Sequence, residues 1–509
     1  MDLNPRLADF TTTYDAGRAQ VVWTTLVGDL DTPVSAYLKL VDPDQLGFLM
    51  ESVEGGAHRG RYSFVGMRPD IVWRATGNRA DINRNALHDP GDFHPCPVAE
   101  RDGTLKSLRT LIGQSRIDMT TPGLAPLPPM AAGLIGYLSY DSVRLVENIP
   151  DTNADVLNVP DGVFLRPTVT VIFDNASDVV FVVTPVYPQE NIPAEQAFDL
   201  AQARLSRTVT DFERALPPQP LTEAATDLPE PVSNMKKSAF FTMVEKAKAY
   251  IGAGDIFQVV LSQRFKLPFQ LPPFAFYRAL RRINPSPFLF YLNFGDFQVA
   301  GSSPEILVRL RDGTVTIRPI AGTRPRGATA GEDAALEADL LADPKERAEH
   351  LMLLDLGRND IGRVAKIGTV NVTDSYLVER YSHVMHIVSN VEGEIEHGRD
   401  AIDALYAGFP AGTTSGAPKI RAMEIIDELE PEKRGIYAGC IGYFGADGEM
   451  DTCIALRTAV IKDGWLYAQA GGGVVADSTA EGEYLESCNK AKALIRAAQE
   501  AVRFARRNN

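Results

Sequence analysis

An α+β fold with a mostly antiparallel sheet is predicted from two observations. Short apolar runs follow one another across tight turns, as in FLFYLNF and FQVAGSS, or YAGCIGYF, TCIALRTAVI and WLYAQA separated by ADGEM and KDG. Such spacing reads as hairpins and a meander. Helical periodicity is confined to separate stretches between these runs. The chain has 509 residues, 45% apolar and 23% charged, enough for a large core and more than one domain.

A formal charge of −15 disfavours nucleic acid, because phosphate binding needs a basic stripe and none is present. Small anions remain open, since local Arg, Lys and backbone N–H groups suffice for them. No apolar run is long enough to span a bilayer, and MDLNPRLADF lacks the pattern of a signal peptide. No membrane partner and a cytoplasmic location are therefore expected. Cys96, Cys440, Cys453 and Cys488 follow neither metal spacing nor a disulfide framework and read as reduced thiols.

Taken in order, 4–18 predicts a helix, TPVSAYLKLV fits a helix or strand, and QLGFLMESVEGG a strand with Glu51 and Ser52 at its end. RGRYSFVGM continues in strand-like alternation. IVWRATG, AAGLIGYLSY, TVTVIFDN and VVFVVTPVY read as strands, and 105–115 and 194–214 as helices. The Pro- and acid-rich 216–235 reads as a linker dividing an N-terminal domain, 1–215, from a second, 236–509.

Beyond it, Phe240, Val244, Ala247 and Ile251 mark a helix, and GDIFQVVLSQRF a strand interrupted by Gln258. That amide is either a satisfied core glutamine or a ligand group. Helix 273–283 ends before the rigid turn Asn284-Pro285-Ser286-Pro287. Glu305 ends the loop GSSPE, Gly322 and Thr323 close the strand VTIRPIAGT, and RPRGATAGED reads as a charged loop. In the extended run YSHVMHIVSNVEGEI, His383 and His386 face opposite sides, so at most one reaches a common pocket. Pro418 and Lys419 open a helix whose N–H groups could take an anion. Arg457 interrupts TCIALRTAVI and needs either a structural carboxylate or a ligand. Gly471, Gly472 and Gly473 suit close backbone approach to a ligand or a plain loop.

Two helices carry carboxylates in register. Asp343, Pro344 and Glu346 form a capping-box pattern opening a helix to about Gly357, on which Glu349, Met352, Leu353 and Leu356 share one stripe. AEGEYLESCNKAKAL places Glu483, Glu486 and Lys490 on one face. Two Glu-x-x-Glu faces can close on one ion, and oxygen-only ligands favour Mg²⁺. Equally, Glu346 can be a cap and Glu483 and Glu486 partners of Lys490 on a solvated face.

Together GDIFQVV, NPSPF, GSSPE, PIAGTRPRG, KERAEHLMLLDLGRNDIGRV, YSHVMHIVS, PAGTTSGAPKIRAMEII, YAGCIGY, ALRT, AGGGVVADS and EYLESCNKA resemble the chorismate-utilising enzymes, most closely the large subunit of anthranilate synthase. The likeness is dense over 236–500 and moderate over 20–70. It implies a sandwich of sheets with the site in the cleft between them. It implies chorismate beside Mg²⁺ held by Glu349 and Glu486, with Glu346 and Glu483 behind. Gly322, Thr323, Tyr437, Arg457, Gly471 to Gly473 and Lys490 would hold the substrate, with Thr413 nearby. His386 would assist proton transfer, Glu305 would be its acid/base partner, and His383 would be structural.

Two positions select a branch. Relatives that add water carry a lysine base where Gln258 stands, and an amide cannot deprotonate water. The 4-amino branch commonly carries a nucleophilic lysine where Ala321 stands. Both point to ammonia attack at C2 and anthranilate. The Gly-x-Cys-x-Gly motif of a glutaminase is missing, since Gly439-Cys440-Ile441-Gly442 lacks its spacing. Ammonia is thus expected from a separate glutamine amidotransferase subunit, in a heterotetramer. Glu51 and Ser52 with Asn284, Pro285, Pro287, Phe288 and Leu289 resemble the family's tryptophan-inhibition site, with Phe288 often tyrosine there. The rivals are an aminodeoxychorismate synthase subunit and a non-catalytic tryptophan-binding protein.

Overall fold

The computed structural model describes residues 1–54, 58–119, 127–217, 228–381 and 384–507. Its strands pair antiparallel into two layers joined along two long strands, Tyr62–Thr76 and Gly162–Asp174. RGRYSFVGM and IVWRATG are one strand rather than two. A register shift between Pro69 and Ile71 marks where the pair passes from one layer to the other, as bulges do at sandwich corners.

The first layer runs from Gln20–Val27 through Val179–Val186, the joining strands, Gly47–Glu51, Phe288–Asn293, Phe297–Ser303, Thr458–Lys462 and Trp465–Val474 to Gln258–Pro268. The second runs from the joining strands through Gly133–Leu138, Cys440–Gly445, Met450–Ile454, Ile306–Arg311 and Thr314–Ile317 to Val384–Glu394. That last strand carries Ile320–Pro325 on the same edge and Asn371–Arg380 on the other.

Strand alternation builds the interior. Phe48, Phe290 and Leu292 point between the layers, where Ile135, Tyr137, Ile441 and Tyr443 meet them. Their neighbours Leu49, Leu289 and Tyr291 point outward under the helices Leu7–Asp15, Pro33–Leu40, Ala194–Phe212, Pro273–Ile283 and Ala480–Arg507. Each such fully buried side chain contributes roughly 1.5–3 kcal/mol. The boundary at 216–235 divides the sequence but not the sheet. Gly47–Glu51 and Gly133–Leu138, from before it, pair with Phe288–Asn293 and Cys440–Gly445, from after it; 218–227 lie outside the described residues.

Local differences from the sequence reading have identifiable causes. The first glutamate helix is Pro344–Gly362, longer than expected, because Gly357 is buried on its packed face against Pro319 and Ile317. Asp343 caps it, accepting from the N–H groups of Lys345 and Glu346. The reciprocal arm is absent, since Glu346 turns to Arg324. Part of RPRGATAGED is helical: Thr329 caps a helix Ala330–Ala342, a short-range signal passed over among the charges. Pro319 splits VTIRPIAGT, and Gly322 lies inside the second piece, at a bulge with φ of +75°.

Candidate active site

Two neighbouring crossovers between the layers form the floor of the site. The chain leaves the first layer at Ser303 and enters the second at Ile306, putting Glu305 in the step. It returns from Ile454 to Thr458, putting Arg457 in the step with φ of +46°. TCIALRTAVI is therefore two strands in different layers, and Arg457 interrupts neither. The crossovers bond to each other: the N–H of Ser302 donates to Arg457 O at 3.1 Å, and that of Ile454 to Glu305 O at 3.0 Å. An acid and a guanidinium thus stand side by side where the layers part.

Above them opens a cavity of about 570 Å³. From the first layer it receives Gln258 and the Gly471 and Gly473 backbone, and from the second Ala321, Gly322, Thr323 and His386. Tyr437 and Thr413 line it, as do Glu346, Glu349, Glu483, Glu486 and Lys490 from the glutamate helices. The three glycines are in the strand Trp465–Val474, not a loop. A Cβ on Gly472 would lie 2.4 Å from Glu483 Oε2, and one on Gly473 2.3 Å from Gln258 Nε2. These side chains fit only because the strand has none of its own there.

Glu305 is buried, accepts from the Thr413 hydroxyl at 3.0 Å, and is pushed up to about 8 by burial. It is a neutral acid at pH 7. Arg457 has neither a hydrogen bond to its guanidinium nor an ion pair among the described residues, and burial lowers its pKa. A half-buried guanidinium without a carboxylate suits an anionic ligand. His386 Nδ1 lies 2.9 Å from Gly322 O and 3.1 Å from Thr323 Oγ1. A carbonyl only accepts, so Nδ1 carries the proton and Nε2 is left as the base. Burial lowers its pKa and keeps the ring neutral. His383 lies outside the described residues.

The four glutamates converge on this cavity from two helices. Glu349 is unpartnered among the described residues, and its pKa is raised by burial, then by Glu346 and Glu486. Glu483 Oε1 accepts from Ser478 at 2.7 Å, while Oε2 is buried without a partner. Glu486 pairs with Lys490 at 2.8 Å and Glu346 with Arg324 at 3.2 Å. As the side chains lie here, no three His, Cys, Asp or Glu among the described residues form a closed metal site. An orphaned oxygen on Glu483, and Glu349 and Glu483 raised by burial and then by neighbouring glutamates, nevertheless fit an oxygen-preferring divalent cation.

Two groups lie elsewhere. Lys419 pairs with Asp360 at 2.9 Å, both buried, so this cation is already neutralised and presents no charge to an anion. Glu51, Ser52 and the 284–289 turn form a separate cluster, in which Glu51 pairs in register with Leu289. Glu51 accepts from Tyr277 at 2.6 Å and from Arg281 at 2.8 and 2.7 Å, while Ser302 donates to Asn284 O. Sequence reasoning missed Lys345 and Gln469, which also line the cavity. The position of Lys345, four residues before Glu349, was the available signal for the first.

Comparison with known proteins agrees with this geometry. The profile of chorismate binding enzymes matches residues 75–496. Anthranilate synthase component 1 of Cereibacter sphaeroides is 58% identical over 494 residues, 97% of each chain, and that of Aquifex aeolicus 46% identical over 503 residues, 98% of each. The crystal structure of anthranilate synthase component I from Streptococcus pneumoniae superposes with a TM-score of 0.73 at 36% identity, covering 92% of this chain and 98% of that one. The isochorismate synthase MenF of Escherichia coli shares the fold, with a TM-score of 0.70 at 20% identity over 94% of each chain. A split sandwich whose crossovers present an acid and a free guanidinium to facing glutamates, together with these likenesses, establishes that the chain belongs to the chorismate binding enzymes, in the branch of anthranilate synthase component 1.

Proposed function

We propose that the protein converts chorismate and ammonia to anthranilate and pyruvate, the first step of tryptophan biosynthesis. The observation that carries this is Arg457, a half-buried guanidinium with no carboxylate partner among the described residues, beside the neutral acid Glu305. Arg457 and the 471–473 backbone hold the substrate's carboxylates. Glu349 and Glu486 would hold Mg²⁺, with Glu346 and Glu483 behind them. Such an ion would supply charge stabilisation at the substrate's ring carboxylate.

Ammonia adds at C2 while the 4-hydroxyl leaves. Glu305, protonated at pH 7, gives that group its proton so that it departs as water. His386, its Nδ1–H fixed on Gly322 O, offers Nε2 to a proton released as the ring becomes aromatic. As that proton passes from C2 to Nε2, the bond from C3 to the enolpyruvyl oxygen breaks, and the enolpyruvate released takes a proton at its methylene carbon to become pyruvate, which restores His386. Gln258 and Ala321 supply neither a base for water nor an amine nucleophile, which disfavours aminodeoxychorismate as product. A separate glutamine amidotransferase subunit supplies ammonia in a heterotetramer. Tryptophan inhibits at the Glu51, Ser52 and 284–289 cluster. No helix among the described residues is long and apolar enough to cross a membrane, and we place the enzyme in the cytoplasm.

The test is product fluorescence from chorismate with ammonium and Mg²⁺ at mildly alkaline pH, repeated with EDTA. Anthranilate appears without a partner and disappears with EDTA. Untouched chorismate, or an aminodeoxychorismate mass, from folded protein refutes the assignment.

A further inference from the structure

A second cavity, of about 530 Å³, lies between the bend at Pro69–Ile71 and the helix Ala194–Phe212. It shares no lining residue with the first cavity. Arg84, Arg166 and Arg204 face it, against one carboxylate, Asp70. In a chain of net charge −15 that is a local inversion of sign.

Asp70 does not neutralise the three. It holds Arg166 through two bonds, from Nε at 2.8 Å and Nη2 at 2.6 Å, and Arg166 is stacked over the Tyr187 ring at 4.3 Å. Arg204 donates to the Thr184 hydroxyl at 3.0 Å and toward Pro185 O at 3.5 Å. Among the described residues it has no carboxylate partner. Among the described residues Arg84 is tied only to Gln114, at 3.1 Å. A half-buried guanidinium with spare N–H groups is best satisfied by a planar oxyanion accepting from its fork. The walls beside it are apolar: Ile71 and Val186 are buried, and Leu87 and Leu200 sit at the rim, 47% and 44% exposed. Phosphate would leave these walls wet, whereas a carboxylate on a ring or chain would cover them.

We propose that this cavity binds a small organic carboxylate with an apolar body, its carboxylate on Arg204 and its body against Leu200, Ile71 and Val186. The proposal is independent of the chorismate site.

The experiment is calorimetric titration of the full chain with benzoate at low salt, using wild type, Arg204→Met, Leu200→Asp and Arg457→Met. Saturable binding to wild type and to Arg457→Met is expected, weakened at least tenfold by Arg204→Met. Leu200→Asp, a change at the exposed rim that keeps Arg204, should weaken it likewise, so that loss in Arg204→Met is not mistaken for misfolding. Inorganic phosphate should not displace benzoate at equal concentration. Absence of saturable binding, unchanged affinity in both cavity variants, loss in Arg457→Met, or displacement by equimolar phosphate would each overturn the proposal.

Discussion

Glu305 gives a prediction in which catalysis and stability oppose each other. Its carboxyl is carried from an ordinary 4.5 to about 8, chiefly by burial, with Thr413, Lys490 and Arg457 pulling the other way. The folded protein therefore holds a proton at pH 5–8 that the unfolded chain has released. Stability from this group is fully present below pH 4.5 and is lost as pH rises through 8. The gap, at about 1.4 kcal/mol for each tenfold in acidity, is about 5 kcal/mol as an upper figure. Unfolding entropy scales as about 2.1 cal/mol/K per residue, so in a chain of 509 residues about 5 kcal/mol moves Tm by about 5 °C. Glu305→Gln keeps the shape and a donor but never ionises. Calorimetric Tm of wild type and variant from pH 5 to 9 should show the variant gaining on wild type by up to about 5 °C toward pH 9, while its anthranilate formation is abolished at every pH. A Tm difference independent of pH would refute the buried-acid reasoning.

The buried pair Glu430–Arg434, at 2.6 Å, ties Thr414 O and Val260 O behind the cavity through the guanidinium. Glu430→Ala strands that charge and should cost about 3–5 kcal/mol, read as a lower Tm by calorimetry. Gly472→Ala drives a methyl to 2.4 Å from Glu483 Oε2. Turnover should fall at least tenfold with the far-UV circular dichroism unchanged, and a Mg²⁺ titration should show a raised half-saturating concentration. Ser52→Phe, beside the Glu51–Leu289 register pair, should leave anthranilate formation intact and abolish its suppression by tryptophan; full retained sensitivity would count against that inhibitor cluster.

Much of the site was legible because its parts are local. Gln258 amid an apolar run, Arg457 amid another, and glutamates three apart on helices stand out against their neighbours. Short-range signals also placed most helices and strands. The helix at Ala330–Ala342 carried a local signal in its Thr329 cap, outweighed by the charges around it, whereas the broken strands at Pro319 and Arg457 share another cause. In each, a charged or irregular residue was weighed without the packing that decides its role. Lys419 shows the same gap, since its cation is neutralised by Asp360, distant in sequence.

By itself the sequence determined the chemistry available: two paired-carboxylate helices, a guanidinium amid an apolar run, an acid after GSSP, and an amide and a methyl where relatives use lysine. It also determined the α+β class, since hairpin spacing and helical periodicity are local properties of the chain. Only the tertiary structure decided that Glu305 and Arg457 are neighbours, because their adjacency comes from hydrogen bonds between two crossovers far apart in sequence. It alone set Glu305 near pH 8, since burial belongs to the assembled layers and not to any segment. It alone joined the two sides of the Pro-rich stretch into one sandwich, because strand pairing is satisfied between segments that no local pattern relates.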